Sequence, residues 1–222
     1  MKKKLKIFSN LILMLAIFVA VCSVSFAQKT KSIEPNTLVK LNGFTVTSPS
    51  DDDWEYVISK DKGTVNFILE SSNILTGSVN KTFISVFKDS ILIETESSRK
   101  QLAENLLEED LRAFKNAGFE NLKMNGKRHF DTTIAGRRYY GIIFSCKFTL
   151  PDWHVWTYYE SVSFIFFPGD STSVKQYFGF NISSSYNQPL GVIKTNSAEL
   201  KPIFSLLKSF KYDEAAVQKR SE

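Results

Sequence analysis

Along most of this chain apolar and polar residues alternate with a period of two, and in two places the period lengthens to that of a helix. Leu38 to Thr47 reads as a first strand, with Phe44 and Val46 alternating with Thr45 and Thr47. Pro49 and the acidic run Asp51, Asp52, Asp53 end it. A second strand starts at Trp54 and carries Tyr56 and Ile58 on the same face. The cluster Ser59 to Gly63 is a turn, and Val65, Phe67 and Leu69 mark the strand that returns from it, so the pair predicts a hairpin. Ser71 to Lys81 is polar enough to read as a loop. Phe83 to Phe87 is a short strand that Ile91 to Ile93 extends.

The first helical period follows. Leu102, Leu106, Ala113 and Phe114, flanked by Ala103, Leu107 and Leu111, form a broad apolar stripe. Glu104, Glu108, Glu109, Arg112 and Lys115 fill the opposite face. Ser98 and Gln101 have the spacing of a capping box, and Gly118 suits the left-handed position after the last turn. Four strands come next. They run over Lys123 to Ile134, Arg137 to Phe148, His154 to Phe167 and Val174 to Ser183, and tight turns at Ala135-Gly136, Pro151-Asp152 and Pro168-Gly169-Asp170 join them. That series predicts an antiparallel meander. Ile203, Leu206, Leu207 and Phe210 return to helical spacing, in a terminal helix that starts between Ser197 and Pro202.

Two strands break the alternation. Ile142-Ile143-Phe144 and Phe164-Ile165-Phe166-Phe167 are apolar on both sides, as a strand is when both faces of its sheet are covered. Two helices are at hand to cover them. The expected class is therefore α+β, an antiparallel sheet flanked by helices in an α/β/α sandwich.

The N-terminus changes the charge picture. Lys2, Lys3, Lys4 and Lys6 precede an apolar run from Leu11 to Val21, and Ser25 and Ala27 then occupy the small-residue positions of a processing site. This is the pattern of a secretory signal peptide over residues 1–27, with cleavage between Ala27 and Gln28. The run is shorter than the roughly 20 apolar residues of a spanning helix. A lipid anchor at Cys22 is the less favoured alternative, because Val21 before it is bulky. The full chain has 28 Lys+Arg against 23 Asp+Glu; without the four signal lysines the balance is 24 to 23, a net charge of +1. A near-neutral domain has no overall field to draw it to nucleic acid or to an anionic membrane. The expected location is exported, either periplasmic or secreted. The expected organisation is a flexible lead-in at 28–37, one domain at 38–212 and a flexible tail at 213–222.

Candidate chemistry is sparse. Cys146 would be the one cysteine left after cleavage, and it shares a strand face with Ile142, Phe144 and Phe148, so it reads as a buried small hydrophobe. His129 and His154 fall on different strands, with no second ligand at metal-binding spacing. Asp51, Asp52 and Asp53 lack the spaced oxygens and turn glycine of a calcium loop. There is no Gly-x-Ser-x-Gly elbow and no phosphate-cradling glycine loop. The reading is of a protein that is not an enzyme and has no cofactor. The stretch Pro151 to Tyr159 is unusually aromatic. Trp153, Trp156, Tyr158 and Tyr159 could form a partner or ligand patch, although core burial is the more ordinary fate of such residues. Lys127, Arg128, Arg137 and Arg138 bracket the Ala135-Gly136 turn and read as solvated hairpin charges.

The order of elements resembles the PsbP-like fold family, which includes the extrinsic photosystem II protein and bacterial periplasmic DcrB-like proteins. The residues that carry the likeness are Gly43-Phe44-Thr45-Val46 followed by Pro49 and Trp54, then Ile134-Ala135-Gly136-Arg137 before a long aromatic strand, then the closing amphipathic helix. The resemblance implies a sheet sandwiched between helices and an accessory or binding role, and it transfers no site residue. The first functional expectation is an exported module that binds a protein partner in the cell envelope through a sheet edge or the aromatic patch. The second is a carrier of a small apolar ligand in a Phe-rich cleft.

Overall fold

The computed structural model describes residues 30–50, 53–73, 78–93, 95–149, 156–168, 174–186 and 200–214. The expected signal segment with Cys22, Ala27 and Gln28, and also Trp153 and His154, lie outside the described residues. In chain order the elements are β1 (Lys31–Ser32), β2 (Leu38–Leu41), β3 (Phe44–Thr47), β4 (Glu55–Ile58), β5 (Thr64–Asn73), β6 (Ser78–Ile93) and α1 (Glu96–Asn116). They continue with β7 (Glu120–Ile134), β8 (Arg137–Thr149), β9 (Trp156–Phe166), β10 (Val174–Tyr186), α2 (Lys201–Ser209) and β11 (Lys211–Tyr212).

Eight strands form one antiparallel sheet in the order β1-β4-β5-β6-β10-β9-β8-β7, and β11-β3-β2 form a second, small sheet. The large sheet is two meanders joined edge to edge where β6 pairs with β10, and α1 is the connection between them. Its two faces carry separate cores. Val65, Phe67, Ile84, Val86, Ile143, Phe164 and Phe178 pack against α2 and the small sheet. Tyr140, Ile142, Phe144, Cys146, Phe148, Tyr159 and Ile165 pack under α1. In β9 and just beyond, Phe164 and Phe166 point into the first core and Ile165 and Phe167 into the second. The unbroken apolar run is therefore divided between the two faces, as expected for a doubly covered sheet.

Several elements depart from the sequence-based expectation. Leu38 to Thr47 is a hairpin and not one strand: Asn42-Gly43 is its turn, and Gly43 takes φ +84°. Ser71 to Lys81 is not simply a loop, because β5 and β6 stay paired out to Asn73 and Ser78. There the ladder of the neighbouring strand overrides a polar composition. Helix α1 begins earlier than the capping box suggests. Thr95 is its N-cap, and the Thr95 side-chain oxygen accepts the Ser98 backbone N–H at 3.1 Å. Ser98 thus supplies the capped donor, and Gln101 turns forward to Asn105. Residues 31–32 of the expected lead-in pair with β4, and the Ile33 N–H donates to the Trp54 carbonyl at 3.1 Å. Ordered structure therefore starts ahead of Leu38. At the other end the Asp213 N–H donates to the Gly43 carbonyl at 3.0 Å, which ties the start of the expected tail to the first hairpin.

The Ala135-Gly136 turn has both residues at positive φ, 49° and 75°, as a two-residue hairpin with the twist of its strands requires. Gly141 and Gly179 have a different role. Across the ladder, Phe130 lies over Gly141 and Phe87 over Gly179, each ring occupying the space a Cβ would need. Gly141→Ala should force the Phe130 ring off its seat and destabilise the protein by about 1–3 kcal/mol, the usual penalty of overpacking. Urea denaturation of the variant measures this. A change within about 0.5 kcal/mol, typical of a neutral surface site, would show that the ring moves aside freely.

Candidate ligand cleft

Helix α1 buries Leu102, Ala103, Leu107 and Phe114 against the large sheet. Its neighbouring stripe, Leu102, Leu106, Glu109, Asp110 and Ala113, looks sideways into a cleft of about 600 Å³ between the helix and strands β5, β6, β9 and β10. The floor follows from the two-residue period of the strands. Tyr177 and Ile165 belong to the core under α1, so Asn181 and Ser163, an even number of residues away, face the same side. Register then sets them in line: Asn66 lies opposite Ser85, Ser85 opposite Asn181, and Asn181 opposite Ser163.

This is a continuous polar row across four strands, and it is hydrogen-bonded within itself. The Asn181 amide donates to the hydroxyls of Ser161 at 2.8 Å and Ser163 at 2.9 Å, and the Ser85 hydroxyl donates to the Asn66 side-chain oxygen at 2.6 Å. Amides and hydroxyls used in this way keep lone pairs and protons for a ligand. Apolar side chains line the cleft as well: Phe83 and Phe87 on either side of the row along β6, and Leu102 and Leu106 from α1.

Carboxylates of Asp89, Glu109 and Asp110 line the same cleft. Burial, with the Glu109 charge adding to it, pushes the Asp110 carboxyl up to about 7, although the residue as a whole keeps some solvent exposure. Asp89 accepts from the Tyr177 hydroxyl at 3.3 Å, and burial first, then the Asp89 charge, raises the Tyr177 phenol above its ordinary value. The Cys146 thiol is pushed up to about 12 by burial, with the Asp110 charge as the lesser cause. A thiol held so high is not a nucleophile at neutral pH. Among the described residues no group of three His, Cys, Asp or Glu side chains is placed to hold a metal ion.

No protein-family model matches the chain, and no curated protein matches it either.

The residues singled out from sequence are scattered. Tyr159 is buried under α1, edge-on to Phe114 at 4.8 Å, and lines the cleft from within the core; it is not part of an exposed patch. Tyr158 is half-buried on the other face of β9, and Trp156 opens that strand. The described part of the aromatic stretch is thus split between two faces. His129 has a carboxylate neighbour that linear spacing did not suggest: Glu104 of α1 meets its Nε2 at 2.6 Å and accepts from the Lys127 ammonium at 2.7 Å. Lys127 first, and His129 after it, hold the Glu104 carboxyl below its usual range. Asp110, the most perturbed carboxylate of the cleft, is not among the residues the sequence points to. Its one visible signal is an acid sitting between Leu107, Leu111 and Phe114 inside the apolar stripe.

Proposed function

We propose that this protein is an exported binding module and that its ligand is a small hydroxyl-rich molecule bearing an amine, held in the cleft beside α1. The observation that carries the reading is the row Asn66, Ser85, Asn181, Ser163 in a cleft that the Asp110 and Glu109 carboxylates also line. Amides and hydroxyls in line suit a polyol edge, and carboxylates at the wall suit a cationic group. A cleft of about 600 Å³ is of ligand size. Its polar floor favours this ligand over the apolar one expected from the phenylalanine content.

Binding fits the site better than catalysis. Among the residues lining the cleft there is no histidine to activate a serine hydroxyl. Export draws on the signal pattern of residues 1–27. The PsbP-like likeness belongs to the same proposal and draws on the opening hairpin at Gly43-Phe44, the buried Trp54 and the closing helix α2. A protein partner added to the sheet edge has less support. The long edge strand β7 carries Lys123, Lys127 and Arg128 and is bulged at two points, both devices that discourage strand pairing.

The test is calorimetric titration with a panel of monosaccharides, amino sugars and diamines. An amino sugar should bind best. Asn181→Leu and Glu109→Gln should each weaken it at least tenfold, and Glu109→Gln lies on an exposed helix position where folding is not at stake. Saturable binding by no member of the panel, or binding that both variants leave unchanged, would sink the reading.

A further inference from the structure

A second cavity, of about 520 Å³, lies at the β7–β8 turn and is opposite in character to the first. It wraps the end of the large sheet between the first turns of α1 and strand β11. Three guanidinium groups line it: Arg99 from α1, and Arg137 and Arg138 from the start of β8. The aromatic walls are Phe166, Phe167 and Tyr212.

Two of the three arginines are held by stacking. The Arg99 guanidinium carbon sits 4.9 Å from the centre of the Phe167 ring, and that of Arg137 5.5 Å from the centre of Phe210. A guanidinium laid on a ring has its plane fixed, and its N–H groups radiate within that plane toward whatever lies beside the stack. Arg138 is paired with Asp131 at 3.3 Å, a long contact between two side chains that are both at least half exposed. Such a pair contributes little and yields readily to a better acceptor. The charges lining the cavity are these three cations against Asp131 and Glu214. Tyr140 lines the same cavity, and its hydroxyl lies 3.4 Å from the His129 Nδ1.

We infer that this cavity is a second ligand site, for a small oxyanion, carboxylate or phosphate, attached to a planar apolar group. The guanidinium edges would take the oxyanion as hydrogen-bond donors of matching geometry. The ring of the ligand would lie against Phe167, on the face of the sheet that also carries Arg99 and Arg138. The inference does not depend on the cleft beside α1, whose carboxylates would repel the same ligand.

The test uses the full protein and three probes: phenyl phosphate, benzoate and the neutral benzyl alcohol, titrated at low ionic strength and again at high salt. Phenyl phosphate or benzoate should bind saturably, and added salt should weaken it. Whichever of the two binds more tightly identifies the oxyanion. Arg138→Gln alters a side chain 65% exposed and so leaves the fold intact; it and Arg99→Gln should each weaken binding at least tenfold, while Asn181→Leu in the other cleft leaves it unchanged. The inference is overturned if neither anion saturates, if benzyl alcohol binds as well as the anions, or if both arginine variants bind like the parent.

Discussion

Replacing Phe210 by alanine is expected to cost about 3–5 kcal/mol, the range for deleting a large aromatic from a filled core. Phe210 is fully buried at the C-terminus of α2. Its ring lies 5.0 Å from those of Phe178 and Phe180, 5.9 Å from Phe166 and 6.2 Å from Phe44, with Arg137 stacked over it. It therefore joins three bodies at once: helix α2, the small sheet through Phe44, and the large sheet through β9 and β10. Phe210→Leu keeps most of the volume and should lose less than half as much. Urea denaturation gives the two free energies, and amide exchange gives the place. In the alanine variant β2, β3 and β11 should lose protection before the large sheet does, because the small sheet has no other pairing partner among the described strands. Uniform loss of protection across both sheets would contradict this hinge role.

Asp110→Asn is expected to stabilise the protein at pH 8 and to do nothing at pH 4. The folded carboxyl titrates near 7, well above its ordinary 3.8, because burial opposes its charge. The folded state thus holds the proton more tightly than the unfolded state does. Stability is greatest below about pH 4, where both states are protonated. It falls as pH rises from there to about 7 and is level above. A carboxyl held at about 7 in place of 3.8 corresponds to about 4 kcal/mol when it is wholly buried. Since Asp110 keeps some exposure, an effect on the order of 2 kcal/mol is expected after allowing for screening. Glu104 is shifted the other way, its contribution being present above the unfolded value and lost as pH falls through the folded one. The quantity to compare is therefore the difference between variant and parent in urea at pH 4, 6 and 8. A difference that stays flat across that range would show that the Asp110 carboxyl is solvated.

The architecture was largely legible because its signals are local. The Ala135-Gly136 turn, the Gly118 helix stop and the spacing of Ile203, Leu206 and Leu207 each announce themselves within a few residues, and each is found where the chain suggested. Asn42-Gly43 is equally local but masked, since the alternation on either side of it runs on as though uninterrupted. The start of α1 was misplaced for a similar reason: Thr95 and Ser98 are both competent caps, and only the hydrogen bond decides between them. The cleft lies at another level. Asn66, Ser85, Asn181 and Ser163 are ordinary polar residues of alternating strands, and nothing in the chain brings them together until β6 pairs with β10. That pairing joins strands on either side of α1 and three further strands, a long-range register that no short-range pattern encodes. The Phe130 ring over Gly141 is hidden in the same way, as is the meeting of Glu104 with His129.

If the cleft beside α1 is where this protein meets its ligand, the ligand must disturb the residues that line it. The most direct test is to follow backbone amide resonances of the isotope-labelled protein as the best-binding amino sugar is added. Concerted, saturable shifts confined to Asn66, Ser85, Asn181, Ser163 and the Asn105–Asp110 turn of α1 are the predicted result. Saturable shifts elsewhere, with those residues unmoved, would contradict it.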